Sequence, residues 1–261
     1  MKKKLVNFIL LILIILFLGS SFFIGNRIYE YSNYSSLNKS LQHTITERVI
    51  LSEEVSGIKE NNDEQEKIFS DERYIRVQNL YELRNTNKDV FGWIQIPGLA
   101  VNYPVVQNLM EPDYYLKRDI NGNKSSYGTI YMDANCIRGR AKNYILYGHH
   151  MRDGSMFAAI NHYDDINFYN QYPVIEFDML TGPNDYQIIG AFKISASKLS
   201  ELEDIIMFNT EEDFNKFKTF FESNKFYDTG INYSYEDDFL TLMTCEYTYN
   251  NGRFFVLAKR I

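Results

Sequence analysis

The sequence predicts a mainly β protein: eight strands closed into a barrel, one helix ahead of the barrel, a second helix inserted before the penultimate strand, and a single transmembrane helix in front of everything. Three observations predict this. From Val90 onward, short alternating or apolar runs separated by turn residues recur with few helices between them, a spacing that suits a closed barrel better than alternating β-α units. Aromatic residues make up 16% of the chain, with 21 Tyr and 19 Phe, which favours β structure. Residues 5–25 are nearly all apolar and carry no charge.

That uncharged run of 21 residues spans roughly 31 Å as a helix, about the thickness of a bilayer's hydrocarbon core. Lys2, Lys3 and Lys4 stand directly before it, so the positive-inside rule places the N-terminus in the cytoplasm and the rest outside. A cleaved signal peptide would end in a small-x-small site; Gly19-Ser20-Ser21 is a faint version, but Phe22, Phe23 and Ile24 carry the apolar run past it. We therefore read residues 1–27 as a cytoplasmic tip and uncleaved anchor. Residues 28–65 read as an extracellular stalk, partly helical and partly mobile, with Leu37, Leu41 and Ile45 at helical spacing and a break at Asn61-Asn62-Asp63. Residues 66–261 read as the catalytic domain with its helical extension.

Within that domain, Ile68, Ile75, Leu80 and Leu83 make an amphipathic stripe that predicts a helix over 66–88. Strands are expected at 93–96, 101–107, 127–132, 144–147, 174–178, 186–195, 239–244 and 253–259. Pro104 suits an edge or a bulge, and Thr181-Gly182-Pro183-Asn184 suits a turn. A short helix is expected over 156–163. A longer one is expected over 211–224, where Thr210 can cap, Glu211, Glu212 and Asp213 favour the first turn, and Phe214, Phe217 and Phe221 form an apolar face that reads as core.

Composition narrows the function. The chain has 261 residues and a net charge of −7; beyond residue 27 it holds 23 basic against 34 acidic side chains. So acidic a body argues against nucleic acid as partner, because phosphate binding needs a basic footprint. Two cysteines, Cys136 and Cys245, make no disulfide framework, and a bridge between them would block the thiol of interest. No phosphate loop, metal-type cysteine pair or zinc-protease helix occurs. Asp133, Asp164, Asp165, Glu203 and Asp204 match no calcium-ligand spacing, so no metal and no cofactor is expected.

The chemistry sits at strand ends. Asp238-Phe239-Leu240-Thr241-Leu242-Met243-Thr244-Cys245 alternates like a strand with one buried face and delivers a thiol at its end. Arg253 opens the following strand. Asn143-Tyr144-Ile145-Leu146-Tyr147 runs into Gly148-His149-His150, where either ring could turn inward. A thiol, an imidazole and an always-charged guanidinium fork suffice for thiol-based acyl transfer if they converge. Convergence constrains the last turn. A tight hairpin at Asn251-Gly252 would pair Cys245 with Ala258 and leave Arg253 roughly 16 Å away along the strand. An open loop from Glu246 to Gly252 is therefore predicted.

These residues resemble a known family. Thr241-Leu242-Met243-Thr244-Cys245 matches the TLxTC motif of sortases, Arg253 falls where their arginine does, and Tyr147-Gly148-His149 matches the segment bearing their histidine. The order His, Cys, Arg also fits. Phe91-Gly92-Trp93-Ile94-Gln95-Ile96-Pro97-Gly98, Val101-Asn102-Tyr103-Pro104-Val105-Val106-Gln107 and the helix before the cysteine strand resemble class B. Met243 departs from the Ser of many class B members, and His150 replaces a common Asn.

The resemblance selects His149 over His150 and implies a transpeptidase with catalytic His149, Cys245 and Arg253. It further implies substrate contacts at Thr244, Glu246, Met243 and Tyr103. Its implied partners are surface proteins with an NPxTN-like or (S/P)PxTG-like sorting signal and an amine of peptidoglycan precursor. Two alternatives stand beside it: a sortase-fold enzyme acting mainly as a hydrolase, and a non-catalytic, membrane-tethered barrel that binds peptides or wall polymers.

Overall fold

The computed structural model describes residues 2–55, 63–246 and 252–261, with side chains described over 3–45, 73–195, 197–245 and 252–261. The chain divides into two compact units, Met1–Leu41 and Gln42–Ile261.

Helix α1 runs unbroken over Lys2–Val55. Its Lys3–Ile45 stretch is long enough to cross a membrane and contains an 18-residue window with a mean hydropathy of 2.8. The helical part of the expected stalk therefore reaches Val55. No Gly or Pro occurs between residues 26 and 55, and Leu37, Leu41 and Ile45 keep helical spacing, so nothing in the sequence ends the helix. The break expected at Asn61-Asn62 lies outside the described residues.

Helix α2, Asp63–Thr86, docks on the barrel through the buried side chains of Val77 and Leu80. Two arginines fasten it. Arg73 pairs with Asp178 and Asp185, while Arg76 reaches Glu176 at 3.1 Å and Asp178 at 2.9 Å. Asp178 is fully buried, and these cations are what make an ionised carboxylate tolerable there. Burial alone would lower the Arg73 pKa; the hydrogen bonds and charges of Asp178 and Asp185 outweigh it and raise it.

Eight strands close the barrel: β1 Val90–Gln95, β2 Asn102–Val106, β3 Ile130–Met132, β4 Asn143–Tyr147, β5 Val174–Met179, β6 Asp185–Ile194, β7 Phe239–Glu246 and β8 Gly252–Arg260. Their order around it is β1-β2-β3-β4-β7-β8-β6-β5. Two neighbouring pairs are parallel, β2 with β3 and β4 with β7. The β2–β3 ladder holds only Val105↔Ile130 and Val106↔Tyr131, so Pro104, which has no N–H to give, lies outside it. All eight expected strands are present.

Two expectations shift in detail. The helix over 156–163 is a 3₁₀ helix, Ala158–Asp164, continued by α3, Ile166–Gln171, which Asp165 caps by accepting from the Asn167 N–H. A further short helix, α4 (Leu199–Glu203), follows β6. Helix α5 covers Glu211–Asn224 as predicted, closed at its start by a capping box between Thr210 and Asp213. Its Phe214, Phe217 and Phe221 are buried and join Phe192, Phe208, Phe239 and Phe255 in one aromatic cluster. Each such ring contributes about 1.5–3 kcal/mol by leaving water. The cluster roofs the outer face of β6, β7 and β8.

Candidate active site

The site is built at one end of three adjacent strands. Strand β7 lies between β4, to which it runs parallel, and β8, to which it runs antiparallel. Along β7, Leu240, Leu242 and Thr244 face one side, and Thr241, Met243 and Cys245 face the other. On β8, Arg253 pairs directly with Cys245, and Gly252 with Glu246. Directly opposed residues share a face with their Cβ atoms about 4.5–5.5 Å apart. Thiol and guanidinium therefore project from the same side of the sheet.

This register excludes the tight hairpin that would have paired Cys245 with Ala258, whose partner is Leu240. The connection itself, residues 247–251, lies outside the described residues.

The imidazole comes from the other neighbour. Tyr147 pairs with Met243, and the Gly148 N–H donates to the Met243 carbonyl at 3.1 Å. β4 ends at Tyr147, so His149 and Cys245 each lie two residues beyond the Tyr147↔Met243 pair. Gly148 is required at the bend: a Cβ there would stand 2.5 Å from both Ile130 Cδ1 and Phe157 Cδ2. On β7, Thr244 is 2% exposed, and its hydroxyl donates to the Gly148 carbonyl at 2.7 Å. Thr244, expected to touch substrate, is instead placed as a tie between the cysteine strand and the histidine segment.

His149 is oriented by a carbonyl. Its Nε2 lies 2.7 Å from the Leu116 carbonyl oxygen, which can only accept, so Nε2 carries a proton and Nδ1 is left for proton exchange. Leu116 belongs to a 3₁₀ turn, Tyr114–Lys117, packed beneath Gly128. Gly128 adopts φ +63°, and a Cβ on it would meet the Leu116 and Tyr115 carbonyls at 2.7 and 2.8 Å. The same glycine explains why β3 begins at Ile130 rather than at Tyr127.

His150 serves the cysteine backbone. Its Nδ1 is 3.1 Å from the Cys245 carbonyl and 2.8 Å from the Asn161 side-chain nitrogen. A proton on Nδ1 serves the carbonyl; a lone pair there accepts from Asn161.

The remaining expected contacts separate. Tyr103 is 5% exposed, and its hydroxyl accepts from the Met156 N–H at 3.0 Å, bracing the loop after His150. Met243 lies on the cysteine's face and lines a small cavity of about 20 Å³ with Ile145, Tyr147, Leu202 and Phe255. For Glu246 only the backbone is described, at the end of β7.

The two thiols differ sharply. Cys245 is partly exposed and unbridged. Cys136 is fully buried; its sulfur accepts from the Ile145 N–H and faces the Asn143 carbonyl, and burial pushes its pKa up to about 12. On β3, the Tyr131 phenol is raised first by burial and then by Asp113 and Asp133, with Cys245 close enough to add to the effect.

Comparison with known proteins decides the family. A family model described as "Sortase domain" matches residues 94–261. The chain belongs to the sortase family. Sortase B of Staphylococcus aureus (strain NCTC 8325 / PS 47) is 32% identical over 193 residues, which cover 73% of this chain and 77% of the relative. The crystal structure of Clostridium perfringens sortase B superposes with a TM-score of 0.65 at 32% identity, covering 69% of this chain and 98% of that one. A Staphylococcus aureus sortase B–substrate complex gives 0.70 at 27% identity, covering 89% and 98%. This sortase is therefore a class B-like cysteine transpeptidase acting on sorting signals, which removes the non-catalytic barrel from consideration. Sequence motifs singled out the thiol, imidazole and guanidinium as candidates. They could not find the Leu116 carbonyl, because a main-chain acceptor leaves no side-chain signature.

Proposed function

We propose that this sortase is anchored by residues 1–27, with the stalk 28–65 and the catalytic domain 66–261 outside the membrane. There it cleaves a C-terminal sorting signal after Thr and transfers the protein to a peptidoglycan amine. The reading is supported by the direct pairing of Cys245 with Arg253 on β7 and β8, and by His149 following β4, the strand on the other side of β7.

In the proposed mechanism the Cys245 thiolate attacks the Thr carbonyl carbon. The negative charge that develops on the carbonyl oxygen is met by the Arg253 guanidinium, a fixed donor fork on the same face. Imidazolium at His149 gives its Nδ1 proton to the departing amine as the peptide C–N bond breaks, leaving a thioester. The acceptor amine then attacks that thioester, His149 Nδ1 takes its proton, and the Cys245 thiolate departs. Met243 and the Glu246 backbone N–H lie beside the thiol and are the proposed substrate contacts from β7. Thr244 and Tyr103 act by positioning.

The preferred signal is NPxTN-like or (S/P)PxTG-like. Incubating the full chain in neutral detergent with such peptides and a peptide amine tests this by mass spectrometry. The expected product is the N-terminal fragment through Thr joined to the amine. Cleavage retained by Cys245→Ala would refute the assignment, and free acid as the sole product at saturating amine would refute the transfer.

A further inference from the structure

The end of the barrel opposite Cys245 holds a second concave site. Here β8 ends, β4 and β7 begin, and the β5–β6 turn and the β3–β4 loop close around a cavity of about 490 Å³. Cys245 lies seven positions on from Asp238 along β7, roughly 23 Å at strand rise, so this cavity is not part of the active-site groove.

Its lining is cationic in a protein that is otherwise acidic. Arg138, Arg140, Lys142 and Arg260 line it, against the one carboxylate of Asp238. That carboxylate is thinly shared, 3.9 Å from Lys142 and 3.7 Å from Arg260. The Arg140 side chain makes no hydrogen bond or ion pair with any described residue. Arg138 lies over the Phe91 ring, 4.4 Å from its centroid, where its planar fork is held in place. Burial and the nearby Arg84 charge lower the pKa of Arg138, so positive charge there lacks compensation. Arg138, Arg140 and Arg260 are exposed and, with Lys142, bring four cations to one hollow against one carboxylate, an excess of positive charge that attracts an anion. Planar guanidinium forks match the tetrahedral oxygens of phosphate.

We propose that this cavity binds a phosphate-bearing anion, with Arg140 and Arg260 as the principal ligands. With the catalytic domain outside the membrane, as proposed above, phosphate reaches it in two forms, soluble phosphates or their esters and lipid headgroups, and both present phosphoryl oxygens.

The test uses the full chain in neutral detergent, with inorganic phosphate and glycerol phosphate titrated separately and followed by ³¹P line broadening. A third arm uses micelles doped with an anionic phospholipid. Saturable broadening is expected, and Arg140→Gln should weaken it about tenfold, the loss of one charge-assisted hydrogen bond. Asp238→Asn should tighten it, an effect that a purely structural role for Asp238 would not produce. Peptide transfer by Arg140→Gln should match that of the unmodified chain. A response to doped micelles alone, lost in Arg140→Gln, would support the site and identify the lipid source. No saturable response in any arm, or one unchanged by Arg140→Gln, would overturn the proposal.

Discussion

Cys245 and Arg253 are direct cross-strand partners on β7 and β8, the last paired residues but one before the two strands part. The guanidinium therefore reaches the thiol's surroundings from a rigid ladder. One of its nitrogens already donates to the Gly252 carbonyl at 3.1 Å, which fixes the direction of the fork. Replacing Arg253 by Lys keeps the charge but loses the planar geometry. In a peptide-transfer assay kcat should fall about 10²–10³-fold with KM nearly unchanged, the signature of an oxyanion donor. An equal rise in KM would point to substrate binding instead.

Thiol labelling should distinguish the two cysteines without any substrate. Cys136 is sealed in, with its pKa pushed up to about 12, so it stays a neutral thiol through the whole range in which alkylating reagents are used. Native protein at pH 8 should gain a single adduct by mass spectrometry, and Cys245→Ala should gain none. Denatured Cys245→Ala should gain one.

Gly148→Ala probes the bend that carries the histidine. The added methyl would meet Ile130 and Phe157 at 2.5 Å, so those side chains or the bend must move. Overpacking of this kind costs about 1–3 kcal/mol. A thermal melt should register that loss, and peptide transfer measured well below the melting range should fall further than stability alone explains, because His149 is displaced.

Asp178→Ala should destabilise the catalytic unit by about 3 kcal/mol, since Arg73 and Arg76 would keep their charges and lose their buried partner. Urea unfolding measures it. A loss below about 1 kcal/mol would place the pair among weak surface bridges.

Acid should weaken the fold in a defined direction. Burial alone would raise Asp237 and Glu222. Hydrogen bonds from the Ser234 N–H and Lys259 hold Asp237 below the ordinary carboxylate range; Lys225 and the Tyr233 hydroxyl do the same for Glu222. Because these pKa values are depressed in the folded state, their stabilisation is complete above the unfolded value, near 4, and is lost as pH falls through the folded values. Thermal melts from pH 6 to 2 should show an onset of loss near pH 4, shallower in Asp237→Asn.

The barrel was legible in the sequence because every strand is bounded by a turn residue and carries period-2 or apolar runs; Phe214, Phe217 and Phe221 announced α5 in the same way. The candidate site residues were singled out through motif and order. The helix in the stalk was legible only in part, because its polar composition resembles a linker while helix continuation depends on the absence of breakers. Short elements such as α3 and α4 are held by tertiary contacts and leave little local trace. The register of β8 on β7 was inferred only from what the chemistry would require, since Asn251-Gly252 locally favours a tighter turn.

The cysteine strand is inserted between partners far apart in the chain: β4 ends almost a hundred residues before Cys245, whereas β8 follows it closely. Such long-range parallel pairing is slow to nucleate, since a large loop must close before its contacts repay the lost freedom. Cys245 thus gains the segment that carries His149 as a neighbour only once that loop has closed. Joining of the thiol strand to the histidine segment is therefore expected among the later events of folding, where pulsed hydrogen exchange on the β4–β7 ladder would register it.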